Sequence, residues 1–169
     1  MAWNVETKAR VADLGVARAV AASLGAQFVW DDEQVDHYYE LTGARRVKLR
    51  TCGRAPAELI RYDRSETSGV RTSAYEVLPV RDAHAQACLV PKTPPLVVVR
   101  KRREVWILEN VRIHLDAVEG LGTFLELEAV VDAAHDETTC RAQVDRILPA
   151  FGVAEIDCVR ASYGDLLRA

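Results

Sequence analysis

The chain has 169 residues, 49% of them hydrophobic and 28% charged, with a formal net charge of −3. That size fits one domain, 1–169, long enough to bury a core, and the acidic balance argues against a general nucleic-acid or anionic-membrane binder, which carries a basic excess. Cys52, Cys88, Cys140 and Cys158 show neither zinc nor CxxC spacing, no signal-peptide pattern opens the chain, and no run reaches the roughly 20 apolar residues of a membrane span. A soluble cytoplasmic protein with reduced thiols is the expectation.

The first strand candidate is NVETKAR, residues 4–10, which puts Asn4, Glu6, Lys8 and Arg10 on one face and Val5, Thr7 and Ala9 on the other. Leu14, Ala17, Ala21 and Leu24 then fall at helical spacing, with Asp13 to cap the start and Gly25 to end it. QFVWDDEQVDHYYEL is aromatic and β-branched and suits one or two strands. RRVKLRT (45–51) and AELIRYDR (57–64) form a pair joined by CGRAP, and SAYEVLPV (73–80) is a further strand. A short helix over 82–89 begins at Asp82, and Pro91, Pro94 and Pro95 mark a break. Three strong strands follow at 96–109, 111–118 and 123–131. Asp136 to Phe151 reads as an amphipathic helix stopped by Gly152, and SYGDLL as a short terminal element. Eight or so strands with a few helices make an α+β fold on a largely antiparallel sheet.

Charge alternates on several of these strands. Lys48 and Arg50 share a face, as do Lys101 and Arg103; Arg112, His114 and Asp116 share another, and Glu126 and Glu128 a fourth. In ELIRYDR the alternation allows two readings, Glu58 and Arg64 with Ile60 and Tyr62, or Arg61 with Asp63. A wet face on an antiparallel sheet accounts for any one strand. The set is harder to explain that way, because like-signed doublets repel across and along strands. If the sheet closes and the charged face is its interior, the charges need a ligand, metal or water to offset their burial. Carboxylate pairs suit Mg²⁺ or Mn²⁺, and rows of Arg and Lys suit phosphate oxygens. Together they describe a metal-bound polyphosphate, and with no GxxxxGK[ST] loop this is not a P-loop site.

The ordered set NVETKAR, QVDHYYEL, VKLR, ELIRYDR, RKRREVW, RIHLDAVEGLGTFLELE and YGDLL resembles the CYTH family, the triphosphate tunnel metalloenzymes, in its class IV adenylate cyclase-like branch. The resemblance implies an eight-stranded antiparallel closed β-barrel, a tunnel, with helices packed outside, and chemistry on nucleoside or other triphosphates with Mg²⁺ or Mn²⁺. It implies metal ligation by Glu6, Glu126 and Glu128 with Asp116 near, phosphate binding by Lys8, Lys48, Arg50, Arg64, Lys101, Arg103 and Arg112, and catalytic roles for Glu6 and Lys8. The first-strand motif of the family is ExExK, and here it is NxExK. Asn4 supplies a neutral amide where the family has a carboxylate, so the number of metals turns on this position.

The function expected is adenylate cyclase-like, ATP giving cyclic nucleotide and pyrophosphate. A triphosphatase of an organic triphosphate and a non-catalytic phosphometabolite-binding tunnel stay open beside it. The expected partner is a small phosphorylated substrate, with no nucleic acid and no membrane, and a homodimer is allowed. His114 is expected to pack or bond to a neighbour, Tyr38, Tyr39 and Trp106 to serve as core or rim aromatics, and Arg45 and Arg46 to sit in a solvated turn.

Overall fold

The computed structural model describes residues 2–40, 45–64 and 70–169. Its elements in chain order are β1 (Ala2–Arg10), α1 (Leu14–Ser23), β2 (Gln27–Glu40), β3 (Arg45–Cys52), β4 (Ala57–Arg64) and β5 (Arg71–Val80). There follow α2 (Ala83–Leu89), β6 (Val97–Leu108), β7 (Val111–Val118), β8 (Gly122–Val130), α3 (Glu137–Ile147) and α4 (Tyr163–Arg168). The strands close in the order β1-β5-β4-β3-β2-β6-β7-β8, with β8 returning to β1 and every neighbour antiparallel. This is the closed α+β barrel that the charge pattern and the resemblance imply. Among the described residues, no helix is long and apolar enough to cross a membrane.

Local chemistry sets the element ends. The Asp13 carboxylate caps α1, accepting the Gly15 N–H at 2.6 Å and the Val16 N–H at 3.2 Å, and Gly25 leaves the helix at a φ of 84°. The helix expected to reach Phe151 stops at Ile147 and tightens into a 3-10 turn over Leu148–Phe151. Pro149 cannot donate the next helical hydrogen bond, which ends the regular ladder there. QFVWDDEQVDHYYE forms one 14-residue strand, bonded to β3 on one side and β6 on the other.

The hydrophobic core lies outside the barrel. Val5, Ala9, Ile113, Leu115, Leu125 and Leu127 point outward from β1, β7 and β8. They meet Ala17 and Ala21 of α1, Cys140, Val144 and Ile147 of α3, and Leu148 just beyond it. A second cluster of Tyr38, Val99, Val118, Phe124 and Tyr163 sits at the end of the barrel covered by α4. With apolar residues outward, the alternate positions of the same strands must face in.

Candidate active site

The register names the inward face strand by strand. Asn4 lies opposite Ser73, Glu6 opposite Arg71 and Glu128, and Lys8 opposite Glu126. On the far wall Lys48 lies opposite Tyr38 and Ile60, and Arg50 opposite Asp36 and Glu58. Gln34 faces Lys101, Arg103 faces Asp116, His114 faces Glu126 and Arg112 faces Glu128. For β4 this decides between the two readings: Glu58, Ile60 and Tyr62 point in, and Arg61 pairs with Glu76 on the exposed side.

The inward side chains line a cavity of about 550 Å³. Glu6, Lys8, Lys48, Arg50, Lys101, Arg103, Arg112, Glu126 and Glu128 all reach it. Asp116 faces in but does not reach it; it is fully buried beneath Arg103 and Tyr163. The side chain of Arg64 lies outside the described residues; its backbone pairs with Ser73.

The cations are not bare. Asp36, fully buried, accepts from Lys48 Nζ at 2.8 Å and from Arg50 Nε and Nη2 at 2.7 and 2.8 Å, with Lys101 Nζ 3.9 Å away. Burial alone would raise its pKa, but Arg50, Lys48 and Lys101 outweigh burial and hold the carboxyl well below its usual range. Asp116 takes a bidentate grip from Arg103 at 2.7 and 2.6 Å and a hydrogen bond from the Tyr163 hydroxyl at 2.8 Å. Arg103 also donates to Glu126 at 2.6 Å, and Lys8 sits 3.2 Å from the other Glu126 oxygen. Burial, with Arg50 adding repulsion, pulls the Lys48 ammonium down to about 8 and leaves Asp36 as its main support. Burial and Arg103 also drive the Lys101 ammonium well below its ordinary value.

One end of the barrel is covered by α4. Its first turn is fixed by a capping box between Ser162 and Asp165, and Asp165 accepts from Arg46 at 2.9 Å. The Tyr163 ring lies 4.0 Å under the Lys8 ammonium and 5.0 Å under that of Lys101. Gly164 rests on the Tyr38 ring, and a Cβ there would come within 3.2 Å of it. Arg46, expected in a solvated turn, instead lies within β3 and is tied to this cover, because Asp165 of α4 reaches its guanidinium. The opposite end, lined by Val29, Trp30, Arg54, Ala55, Val77 and Ile107, is open.

His114, Glu126 and Glu128 offer ligand atoms that all lie within 4.8 Å of one another. The donor set fits a divalent cation: two carboxylates for a hard ion and one imidazole. His114 is buried with its Nδ1 bonded to nothing, 3.6 Å from Glu126 and 3.7 Å from Glu128. Burial, reinforced by Arg103, lowers its pKa and favours the neutral imidazole that ligation needs. Burial opposes the charge on Glu126, but Lys8 and Arg103 overcome it and hold its pKa well below the usual carboxylate range; the Arg112 guanidinium acts in the same direction on Glu128. Glu6 accepts from Arg71 Nε at 2.9 Å, and the Asn4 Oδ1 is buried with no hydrogen-bond partner.

Four contributors lay outside the sequence reading. Asp36 and Gln34 sit at alternate positions before Tyr38, a pattern hidden by the aromatic character of that strand. Arg71 lies two residues ahead of the expected start of β5, and Tyr163 enters from a terminal element that carries no strand signal.

The family match follows this geometry, covering residues 2–163. The chain belongs to the CYTH domain family. A Methanocaldococcus jannaschii protein provisionally named an adenylate cyclase is 33% identical over 75 residues, which are 44% of this CYTH chain and 41% of that protein. The matched stretch thus spans less than half the length of that curated relative. Among solved structures, a Pyrococcus horikoshii OT3 protein superposes with a TM-score of 0.80 at 24% identity, covering 96% of this chain and 98% of that one. A Hippeastrum protein, described as a provisional adenylyl cyclase with a dominant triphosphatase activity, has a TM-score of 0.64 at 14% identity, covering 98% and 95%. At these identities the structural likenesses speak for the CYTH fold.

Proposed function

We propose that this CYTH chain is a divalent-metal-dependent enzyme of organic triphosphates that converts ATP, or a related nucleotide, to a cyclic nucleotide and pyrophosphate. One observation carries the reading: inward cations on several walls of one cavity surround a cluster of two carboxylates and an imidazole. Such an arrangement matches a polyanion brought together with a cation, and little else of this size.

In this reading Lys48, Arg50, Lys101 and Arg103 would grip phosphate oxygens near the covered end, Arg112, opposite Ile107, would meet them nearer the open end, and Arg64 is proposed as a further phosphate-binding cation. Asp36 and Asp116 hold those cations in place from behind. Glu126, Glu128 and Glu6 would hold Mg²⁺ or Mn²⁺, with His114 as a fourth donor. A divalent cation held by these residues would offset phosphate charge and make phosphorus a better electrophile. The nucleotide's 3′ oxygen attacks the α-phosphorus, the bond to the bridging oxygen breaks, and pyrophosphate is left among the deep cations. Lys8 would stabilise the charge growing on the phosphate oxygens, and the 3′-hydroxyl proton would leave to water in the cavity. A second reading, hydrolysis at the terminal phosphorus by water, has support in the activity ascribed to the Hippeastrum neighbour.

The test is product analysis. Purified protein is incubated with ATP, GTP and inorganic tripolyphosphate, each with Mg²⁺ and with Mn²⁺, and the products are separated by chromatography. Cyclic nucleotide with pyrophosphate supports the first reading, and diphosphate with phosphate the second. Thermal stabilisation without turnover would mark a binder. If no triphosphate shifts the melting temperature, the polyphosphate reading fails.

A further inference from the structure

The chain has four lysines among its 22 basic side chains; the rest are arginines. Three of the four, Lys8, Lys48 and Lys101, line the cavity, and Lys92 is exposed. The two residue types differ in one respect that matters inside a crowded cationic site. A guanidinium keeps its proton, whereas an ammonium can release one and become a primary amine, which is a nucleophile.

Lys8 and Lys48 each have a carboxylate close at hand, Glu126 at 3.2 Å and Asp36 at 2.8 Å. Lys101 is placed differently. Its side chain is 1% exposed, and its Nζ stands 3.7 Å from Asp116 and 3.9 Å from Asp36, beyond hydrogen-bond distance of both. Both carboxylates are already engaged, Asp116 by Arg103 and the Tyr163 hydroxyl, and Asp36 by Lys48 and Arg50. Gln34 lies opposite Lys101 in register, and the Tyr163 ring is 5.0 Å from its amine. Among the described residues Lys8, Lys48, Arg50, Lys101 and Arg103 thus share only Asp36, Asp116 and Glu126. The arginines cannot relieve that excess of positive charge, so a lysine must. Burial and Arg103 both press on the charge of Lys101, which has no hydrogen bond to hold its proton.

We propose that Lys101 is a covalent capture site for small aldehydes that carry a phosphate, held there as an imine. This goes beyond triphosphate chemistry and adds a second class of ligand that competes for the same cations. The amine lone pair adds to the carbonyl carbon, and the carbon–nitrogen bond becomes double. The carbonyl oxygen departs as water with the two amine protons, and nothing is oxidised or reduced. A proton taken up by the imine nitrogen then restores a positive charge between Asp36 and Asp116. Arg50 and Arg103 bond their carboxylates through Nε and Nη2, which leaves Nη1 of each for a phosphate oxygen. The cavity, about 550 Å³ and open at one end, has room for a molecule of this size.

The test uses the full chain with two probes, pyridoxal 5′-phosphate and pyridoxal, the same aldehyde without the phosphate. Borohydride reduces any imine to a stable secondary amine, and peptide mass spectrometry locates it. Lys92 serves as the internal reference, so that the intrinsic reactivity of each aldehyde cancels in the ratio of Lys101 to Lys92 label. That ratio should be about tenfold higher with the phosphate than without it, the factor one charge-assisted hydrogen bond supplies. Inorganic tripolyphosphate should protect Lys101 and leave Lys92 unchanged. Lys101→Arg keeps the charge and removes the nucleophile, and should lose the cavity adduct; the wild-type mapping decides the matter by itself if that variant fails to fold. Label on Lys48 or Lys92 in place of Lys101, equal ratios for the two aldehydes, or no protection by tripolyphosphate would overturn the capture site. Tripolyphosphate that raises the melting temperature of a protein whose Lys101 stays unlabelled would do the same while leaving the triphosphate reading standing.

Discussion

Replacing Asp36 with asparagine tests whether the tunnel cations depend on protein carboxylates until a polyanion arrives. Asp36 is fully buried and is the shared acceptor for Lys48 and Arg50, with Lys101 close by. Removing one member of a buried ion pair costs about 3–5 kcal/mol. Asparagine keeps one acceptor oxygen and the cavity can admit water, so we expect a loss of roughly 2–3 kcal/mol. At about 2–4 °C per kcal/mol for a chain of this size, the melting temperature should fall by roughly 5–10 °C. The effect has a definite pH sign. Asp36 has its folded pKa below its ordinary value of about 3.9, so its contribution is present above that value and lost as pH falls through the folded pKa. The gap between wild type and Asp36→Asn should therefore narrow on acidification. It should also narrow with tripolyphosphate, which takes over the counter-ion role. Differential scanning fluorimetry across pH, with and without the anion, reads all three effects. A variant melting within about 1 °C of wild type near neutral pH would refute the counter-ion argument.

Glu126→Gln with Glu128→Gln should abolish Mn²⁺ binding seen by electron paramagnetic resonance, because His114 alone cannot hold the ion; retained binding would move the metal elsewhere. Asn4→Glu places a carboxylate where a buried amide oxygen has no partner, and should tighten Mn²⁺ binding severalfold in the same assay, with no change placing the residue outside the metal's reach. Lys48, drawn down to about 8, should regain its proton against a polyanion, so triphosphate affinity falls as pH rises through 8. Calorimetry at pH 8.5 in buffers of different ionisation heat should show proton uptake, and identical heats would refute it. The same shift makes stability rise with pH between about 8 and the ordinary lysine value, where the unfolded chain binds the extra proton. Gly164→Ala puts a methyl 3.2 Å from the buried Tyr38 ring and should cost about 1–3 kcal/mol, read as a melting shift of roughly 3–9 °C.

The barrel was legible because period-two alternation is a property of neighbouring residues. Val111–Val118, for example, alternates outward Ile113 and Leu115 with inward Arg112, His114 and Asp116, and the structure keeps every one of those directions. Pairing across strands was not legible, since it depends on register. Nothing within VRTSAYEV says that Arg71 will meet Glu6, 65 positions away. Nor does YGDLL say that its tyrosine will enter the barrel and hold Asp116. His114 shows the same limit from the other side: a lone histidine on a strand reads as a packed residue until Glu126 and Glu128 are seen within reach.

The placement of the core outside the barrel separates what keeps this chain folded from what it acts with. Leu125 and Leu127 point to α1 and α3, while Glu126 and Glu128 between and beside them point to the cavity, so one strand carries both kinds of residue in strict alternation. Burial of the outer face gives stability that grows with apolar area, about 25 cal/mol per Å². The inner face works against it, because burial pushes the Lys48 and Lys101 ammonium groups towards their neutral forms. Replacing buried ion pairs with well-packed apolar residues is often neutral or stabilising, so stability alone gives no reason for such an interior. A polyanion with a divalent cation supplies the missing charges of both signs. Its binding should therefore stabilise the fold by more than its contacts at the mouth contribute, and the covered end should be where that stabilisation is concentrated.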